Sequence, residues 1–392
     1  MRIGIHKEPA GEVIGGSENM VAMMAAALRE THSVEIVHHN KTLTLQALSA
    51  FSGAVLDDVT IRYVEGKRSV PGATRLPWSM YAEARDFFAE LSSPYDVFIT
   101  VTHGIPAFCH APIGVLFVLF PIGNRFEMWP RTSGEDARSL RQRLREAYHD
   151  WEWDRRMATF QTKLAISEFT NRWTRAYWGI NCDVLHPPVD TQFGVADKTD
   201  TIVSVGRFAK MKKHEVMLEA FAALGDASGW RYRCLGGLGR SPDEQSYFES
   251  LRALNARCEA DLKENVSREC LVKAYQEAKI FWHAAGYGEN EDLQPIKAEH
   301  FGMVTVEAMA AGAVPVVVNR GGQPEIVEHG VDGYLWDTPD ELVSYTRRLM
   351  TDDSLRSRMS AAARQRAKQF SRARFADQFS RLIDARIRRR NA

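Results

Sequence analysis

The chain has 392 residues, 45% of them hydrophobic and 26% charged, a length that suits two globular domains better than a single core. Fifty basic residues balance fifty acidic ones, so the net charge argues against a DNA or RNA partner and favours no other partner in particular. The five cysteines (Cys109, Cys182, Cys234, Cys258 and Cys270) are odd in number and scattered, which excludes a disulfide framework and zinc spacing and predicts reduced thiols in a cytoplasmic protein.

Met1-Arg-Ile-Gly-Ile-His reads as a first strand and not as a secretory leader. Helical spacing follows over Ser17–Arg29, and then a strand at Ser33–His38. Further strands are expected at Asp96–Val101, Val115–Phe120 and Lys163–Ser167. The longest apolar run, Gly114 to Pro121, is far short of the roughly 20 residues that cross a bilayer. Strands that are apolar throughout, alternating with helices, indicate a parallel sheet covered on both faces. Between Arg125 and Trp178 stand Trp129, Trp151, Trp153, Trp173 and Trp178, which suit helices packed on a sheet; stacking of an acceptor on one of them is the alternative.

His186-Pro-Pro-Val-Asp190 breaks the pattern, because paired prolines oppose both helix and central strand. The alternation then restarts with a strand at Thr201–Val205, a helix at Val216–Leu224 and strands at Arg231–Leu235 and Ala278–His283. A helix at Val304–Ala311 and a strand at Val314–Asn319 complete it. The division expected is an N-terminal Rossmann-like domain over 1–190 and a C-terminal one over 191–370. The tail 371–392 carries seven Arg against two Asp, with Phe375, Phe379, Leu382 and Ile383 at helical spacing. It is expected to pack back on the first domain as an amphipathic helix; contact with an anionic membrane surface is the alternative.

The chemistry is concentrated in Glu299-His-Phe301-Gly302-Met303-Val304-Thr-Val-Glu307, running on to Gly312. A helix is predicted to start near Met303, with Gly302 permitting the entry turn and Gly312 ending it. The first amides of such a helix, at Gly302, Met303 and Val304, have no intrahelical acceptor and favour an anion such as a diphosphate. Glu299 before the helix and Glu307 within it supply carboxylates, which accept hydrogen bonds from hydroxyls. A phosphate centre with a hydroxyl-rich group at each end describes a nucleotide sugar.

This C-terminal stretch, through Val314-Pro-Val-Val-Val-Asn-Arg-Gly-Gly-Gln-Pro-Glu325 to Trp336, closely resembles the donor-binding core of family 4 glycosyltransferases. Ile14-Gly15-Gly16-Ser-Glu18 resembles that family's glycine-rich first loop, and Ser204-Val-Gly-Arg207-Phe with Lys212-Lys213-His214 its phosphate-binding strand and loop. Ser167-Glu-Phe-Thr, Tyr177-Trp-Gly and His186–Asp190 resemble its approach to the linker.

The resemblance implies the GT-B fold, an α/β architecture of two Rossmann-like domains with parallel sheets facing across a cleft. The acceptor side lies in the first domain and the donor in the second. It implies a retaining hexosyltransferase acting by front-face displacement on a glycan, lipid-linked or small-molecule acceptor. Arg207 and Lys212, or Lys213 if the loop is shifted by one, would neutralise the donor diphosphate. Glu299 would hold donor-sugar hydroxyls and Glu307 the ribose, while Gly15 and Gly16 let the backbone approach the phosphates. No cofactor and no metal are called for, since the cations and the helix N-terminus supply the positive charge; Asp57-Asp58 reads as a turn. The location implied is cytoplasmic, with peripheral contact at the inner membrane face through 371–392 as a further option.

Two features depart from the family pattern. Val118-Leu-Phe-Pro-Ile-Gly lacks the histidine that many members carry there, and His103 is the candidate substitute. Gly286–Ala298 is a long insert, either a lid or a decoration of the rim. A sugar-nucleotide epimerase and a non-catalytic carbohydrate-binding protein are the competing readings. A dinucleotide oxidoreductase is opposed by the wrong glycine spacing in Cys234-Leu-Gly-Gly-Leu-Gly239.

Overall fold

The apolar runs of the first half settle as the central strands of a parallel sheet. In a computed structural model of the chain, which describes residues 1–7, 15–65, 87–104, 106–122, 140–194, 196–225 and 229–391, two compact units form. The first comprises Met1–His186 with Phe375–Ala392, and the second Pro187–Arg374. Ile14, Ile105, Gly123, Trp129 and Ala392 lie outside the described residues.

The first sheet has seven strands: β1 (Arg2–Lys7), β2 (Ser33–His38), β3 (Thr60–Tyr63), β4 (Val97–Thr102), β5 (Ile113–Val118), β6 (Thr162–Ala165) and β7 (Asp183–Val184). Their spatial order is β3-β2-β1-β4-β5-β6-β7, and every pairing is parallel. β4 and β5 are buried at every position, as strands covered on both faces must be. Helix α1 (Gly16–Leu28) follows β1, α2 (Leu45–Ser52) follows β2, and α3 (Leu140–Ala158) and α4 (Glu168–Trp178) flank β6. Ser167 caps α4 by accepting from the Thr170 amide, and Gly179 ends it in the left-handed region at φ 69°. Trp153 and Trp178 are core residues, the Trp153 indole donating to the Trp178 carbonyl at 3.0 Å. Trp151 is exposed beneath the Arg155 guanidinium. Asp57 and Asp58 form a turn, as their sequence suggests.

The second sheet runs β10-β9-β8-β11-β12-β13, again wholly parallel. Its strands are β8 (Thr199–Val205), β9 (Arg231–Gly236), β10 (Asp261–Glu264), β11 (Ala278–His283), β12 (Val314–Val318) and β13 (Tyr334–Trp336). This is the doubly wound order, and its switch point falls between β8 and β11, where such sheets bind ligands at the carboxyl ends of their strands. Helices α5 (His214–Ala223), α6 (Pro242–Asn255), α7 (Arg268–Glu277) and α8 (Met303–Ala310) supply the crossovers. The short α9 (Gln323–Ile326), then α10 (Pro339–Thr351), α11 (Asp353–Ala367) and α12 (Arg372–Asn391) complete the chain.

The segments at which the chain passes from one unit to the other are joined within the second unit. Val189 bridges Ser371, its amide donating to the Phe370 carbonyl at 3.0 Å and its carbonyl accepting from the Arg372 amide at 3.1 Å. α12 then turns Phe375, Phe379 and Ile383 into the core of the first unit, and the Ser380 hydroxyl donates to the Ala27 carbonyl at 2.9 Å.

Candidate functional site in the second unit

The loop after β8 and the loop before α8 converge at the switch point of the second sheet. After β8 the chain passes through Gly206 and Arg207 into one turn of 3-10 helix, Lys210–Lys212. Lys213 then takes a left-handed φ of 53° that redirects the backbone into α5. His214 fixes this loop from beneath. The Arg207 carbonyl, 3.0 Å from His214 Nε2, can only accept, so Nε2 carries the proton and Nδ1 accepts from the Cys234 thiol at 3.3 Å. Burial lowers the His214 pKa to about 4, so the ring stays neutral in that role.

The loop after β11 brings up Glu299. Gly321, at φ 60°, is packed so closely that a Cβ there would lie 2.2 Å from the Glu299 carbonyl, and the Gly322 amide donates to that same carbonyl at 2.8 Å. Only glycine fits at 321. Glu299 thereby meets Lys212, whose ammonium lies 2.5 Å from Oε2. His283, the last residue of β11, places Nε2 3.1 Å from the same oxygen. Burial alone would push the Glu299 carboxyl up, but Lys212 and His283 outweigh it and hold the group well below the usual carboxylate range.

α8 begins where the sequence predicts, after Gly302 at φ 116°, and Gly312 follows its end at φ 85°. No side chain caps its first turn, so the amides of Met303 and Val304 are left to a ligand or solvent. One turn in, Glu307 accepts from the Tyr275 hydroxyl at 3.1 Å and from Arg268 at 3.2 Å. Arg268 also pairs with Asp190 at 3.3 Å. Burial dominates here and raises the Glu307 pKa against the pull of Arg268 and Tyr275.

The remaining residues singled out from the sequence separate. Lys213 pairs with Glu289 of the insert at 2.7 Å, and not with Glu299. Arg207 is exposed, its nearest carboxylate being Glu244 at 3.8 Å. Phe301 is buried edge-to-face against Phe370, so its side chain belongs to the core. The insert Gly286–Ala298 is tied down within this unit: Glu289 also takes Lys297 at 2.8 Å, and Glu291 accepts from the Gly321 amide at 3.0 Å.

Gly15, Gly16 and His103 lie in the first unit. Gly15 has an ordinary extended backbone, and its amide donates to Glu18 at 2.9 Å. A Cβ there would meet only Glu18 Oε2, at 3.6 Å, so no close contact among the described residues demands glycine. Glu18 in turn forms a buried pair with Lys7 at 3.0 Å. His103 follows β4, and burial lowers its pKa, with Lys7 adding to the effect.

His283, Gln323, Arg268, Tyr275 and Asp190 are the site residues that the sequence alone does not pick out. Each belongs to an element distant in sequence from 299–307. The only local signal is a polar residue at the end of an apolar strand, as His283 is.

Residues 189–366, within this second unit, match the family model described as Glycosyl transferases group 1. Among curated proteins, the chain is 27% identical over 232 residues to the GDP-Man:Man(3)GlcNAc(2)-PP-Dol alpha-1,2-mannosyltransferase of Dictyostelium discoideum, covering 54% of this chain and 43% of that protein. It is 29% identical over 184 residues to the D-inositol 3-phosphate glycosyltransferase of Corynebacterium diphtheriae, covering 45% and 40%. The chain thus aligns with less than half the length of these relatives. Among solved structures, a glycosyltransferase from Rickettsia africae superposes with a TM-score of 0.70 at 16% identity, covering 97% of both chains. HepE of Anabaena, in complex with UDP and glucose, superposes with a TM-score of 0.68 at 16% identity, covering 98% of this chain and 100% of that one. Likeness of this kind shows the fold, which is that of the GT-B glycosyltransferases.

Proposed function

We propose that this protein is a retaining hexosyltransferase that moves a sugar from a nucleotide-sugar donor to a glycan, lipid-linked or small-molecule acceptor. The observation that carries the reading is the Lys212–Glu299 pair beside the uncapped start of α8, inside the stretch that matches the Glycosyl transferases group 1 model. Lys212, Arg207 and the amides of Met303 and Val304 supply positive charge where a departing diphosphate develops negative charge. Lys212 is favoured over Lys213 because Lys213 is committed to Glu289. Glu299 accepts hydrogen bonds from the donor sugar and Glu307 from the ribose. The two relatives, a GDP-Man-dependent mannosyltransferase and a D-inositol 3-phosphate glycosyltransferase, agree with the class and differ in acceptor.

In this reading the reaction needs no metal, and the protein works in the cytoplasm at the inner face of a membrane, held by the basic end of α12. No helix among the described residues is long and apolar enough to cross a membrane. A donor panel tests the proposal: each common nucleotide sugar is incubated with the protein, with and without acceptors and with and without a chelator. Donor-selective release of nucleoside diphosphate that survives chelation is the expected result. Failure to bind any nucleoside diphosphate would overturn it.

A further inference from the structure

Behind Glu299 lies a chain of buried polar groups drawn from three separate elements. The Thr305 hydroxyl, in the first turn of α8, donates to Gln323 Oε1 at 3.0 Å. The Gln323 amide nitrogen is thereby turned toward His283 Nδ1, at 3.4 Å. An amide nitrogen can only donate, so Nδ1 accepts and the ring proton sits on Nε2, facing Glu299 Oε2. Thr305 and Gln323 are fully buried and His283 is 4% exposed, which leaves these partners no water to exchange with. Gly302 makes room for the arrangement, since a Cβ there would stand 2.6 Å from the Gln323 nitrogen. Both donors, His283 and Lys212, engage Oε2, while Oε1 takes part in no hydrogen bond or ion pair among the described residues.

We propose that His283, held in its Nε2–H form by Gln323 and Thr305, is a positioning residue that locks Oε2 of Glu299 and so presents Oε1 to the hydroxyls of the donor sugar. The assignment rests on the nucleotide-sugar reading above. Lys212 alone, on a flexible stem, fixes the charge but not the plane of the carboxylate; a second donor from a rigid strand end fixes both.

Asparagine places its amide nitrogen near the Nδ1 position and glutamine near Nε2, so His283→Gln keeps a donor toward Glu299 and His283→Asn does not. His283→Asn is expected to lower kcat about tenfold or more for the preferred donor, as loss of a hydrogen bond to a charged group implies. Calorimetric affinity for the nucleoside diphosphate should change by less than about twofold, because a fault in sugar placement leaves the nucleotide contacts intact. His283→Gln should recover most of the lost turnover. Equal impairment of the two variants, or a normal kcat in His283→Asn, overturns the proposal. Histidine-ring 15N spectra of the wild-type chain at pH 7 decide it without turnover, the His283 signal being identified by its absence from His283→Gln. An Nε2–H neutral ring supports the proposal, and an Nδ1–H ring or a charged one rejects it. Wild-type protein that binds no nucleoside diphosphate would defeat the donor-site reading itself, a failure distinct from a wrong tautomer.

Discussion

Glu299 lies before α8 and Glu307 one turn inside it, yet their carboxyl groups are shifted in opposite directions. Two donors on one oxygen hold Glu299 ionised, whereas burial wins at Glu307. Removing Lys212 should therefore do two things. Lys212→Ala is expected to lower turnover by about 100-fold, the usual cost of losing one stabiliser of developing charge. It should also move the acid limb of the kcat/KM profile to higher pH, because burial of Glu299 is then opposed by His283 alone. A normal rate with an unmoved acid limb would remove Lys212 from the donor site.

Glu307 predicts its own pH signature. Its pKa is raised, so the carboxylate begins to protonate at a higher pH than an exposed glutamate, and affinity for a nucleoside diphosphate should fall as pH drops through that point. Glu307→Gln should bind more weakly, and the ratio of wild-type to variant affinity should shrink toward low pH. Titration calorimetry at a series of pH values measures this, and a constant ratio would contradict the ribose assignment. At this scale the sequence reveals what one loop and one helix contribute, namely Glu299, Gly302 and Glu307. It conceals His283, Gln323 and Arg268, because three-dimensional convergence of distant elements leaves no spacing to read.

Among the elements, two helices of the second unit share one anchor. Lys198, just before β8, sends its ammonium to the carbonyls of Tyr275 at 3.4 Å, Ala278 at 2.8 Å and Ala311 at 2.9 Å. It thus closes the C-terminal ends of α7 and α8, the helices that carry Arg268 and Glu307, where a cation is favoured by the helix dipole. Lys198→Met leaves buried carbonyls without that donor and should lower Tm by roughly 5 °C, given about 2 kcal/mol for the lost bonds and a domain of this size. Burial lowers the Lys198 pKa to about 7. Between that value and about 10.4, where the unfolded chain still holds the proton, stability should rise with pH. Lys198→Met should flatten this rise in Tm, and an identical pH dependence in both proteins would rule the anchor out as its source.

The legibility of the strands follows from the same layering. β4, β5 and β12 are buried at every position and are mostly apolar, so the sequence reveals them. β3, β10, β7 and β13 escape it. All four lie at sheet edges and span no more than four residues; β3, β7 and β10 are at most half-buried and carry little apolar pattern, and β13, though apolar, is only three residues long.

For the molecule as a whole, the balanced net charge hides one strong local asymmetry. Phe375, Phe379 and Ile383 of α12 are spent on the core of the first unit, and His32 faces Asp384 at 3.4 Å. The apolar face of the helix is therefore occupied and cannot insert into a bilayer. What remains outside includes Arg374, Arg381 and a cluster at the last turn, Arg388, Arg389 and Arg390, all exposed. Any membrane contact through this helix must then be electrostatic, with about 1 kcal/mol from each arginine near an anionic surface and strong screening by salt. Full-length protein should sediment with vesicles containing anionic lipid at low ionic strength and be released at about 0.5 M salt, where the Debye length falls to a few Å. Replacing Arg388, Arg389 and Arg390 with glutamine should abolish sedimentation while leaving Tm unchanged, since none of the three is buried. Binding that resists salt would mean that an apolar surface elsewhere makes the contact, and no binding at any salt would leave α12 with its packing role alone.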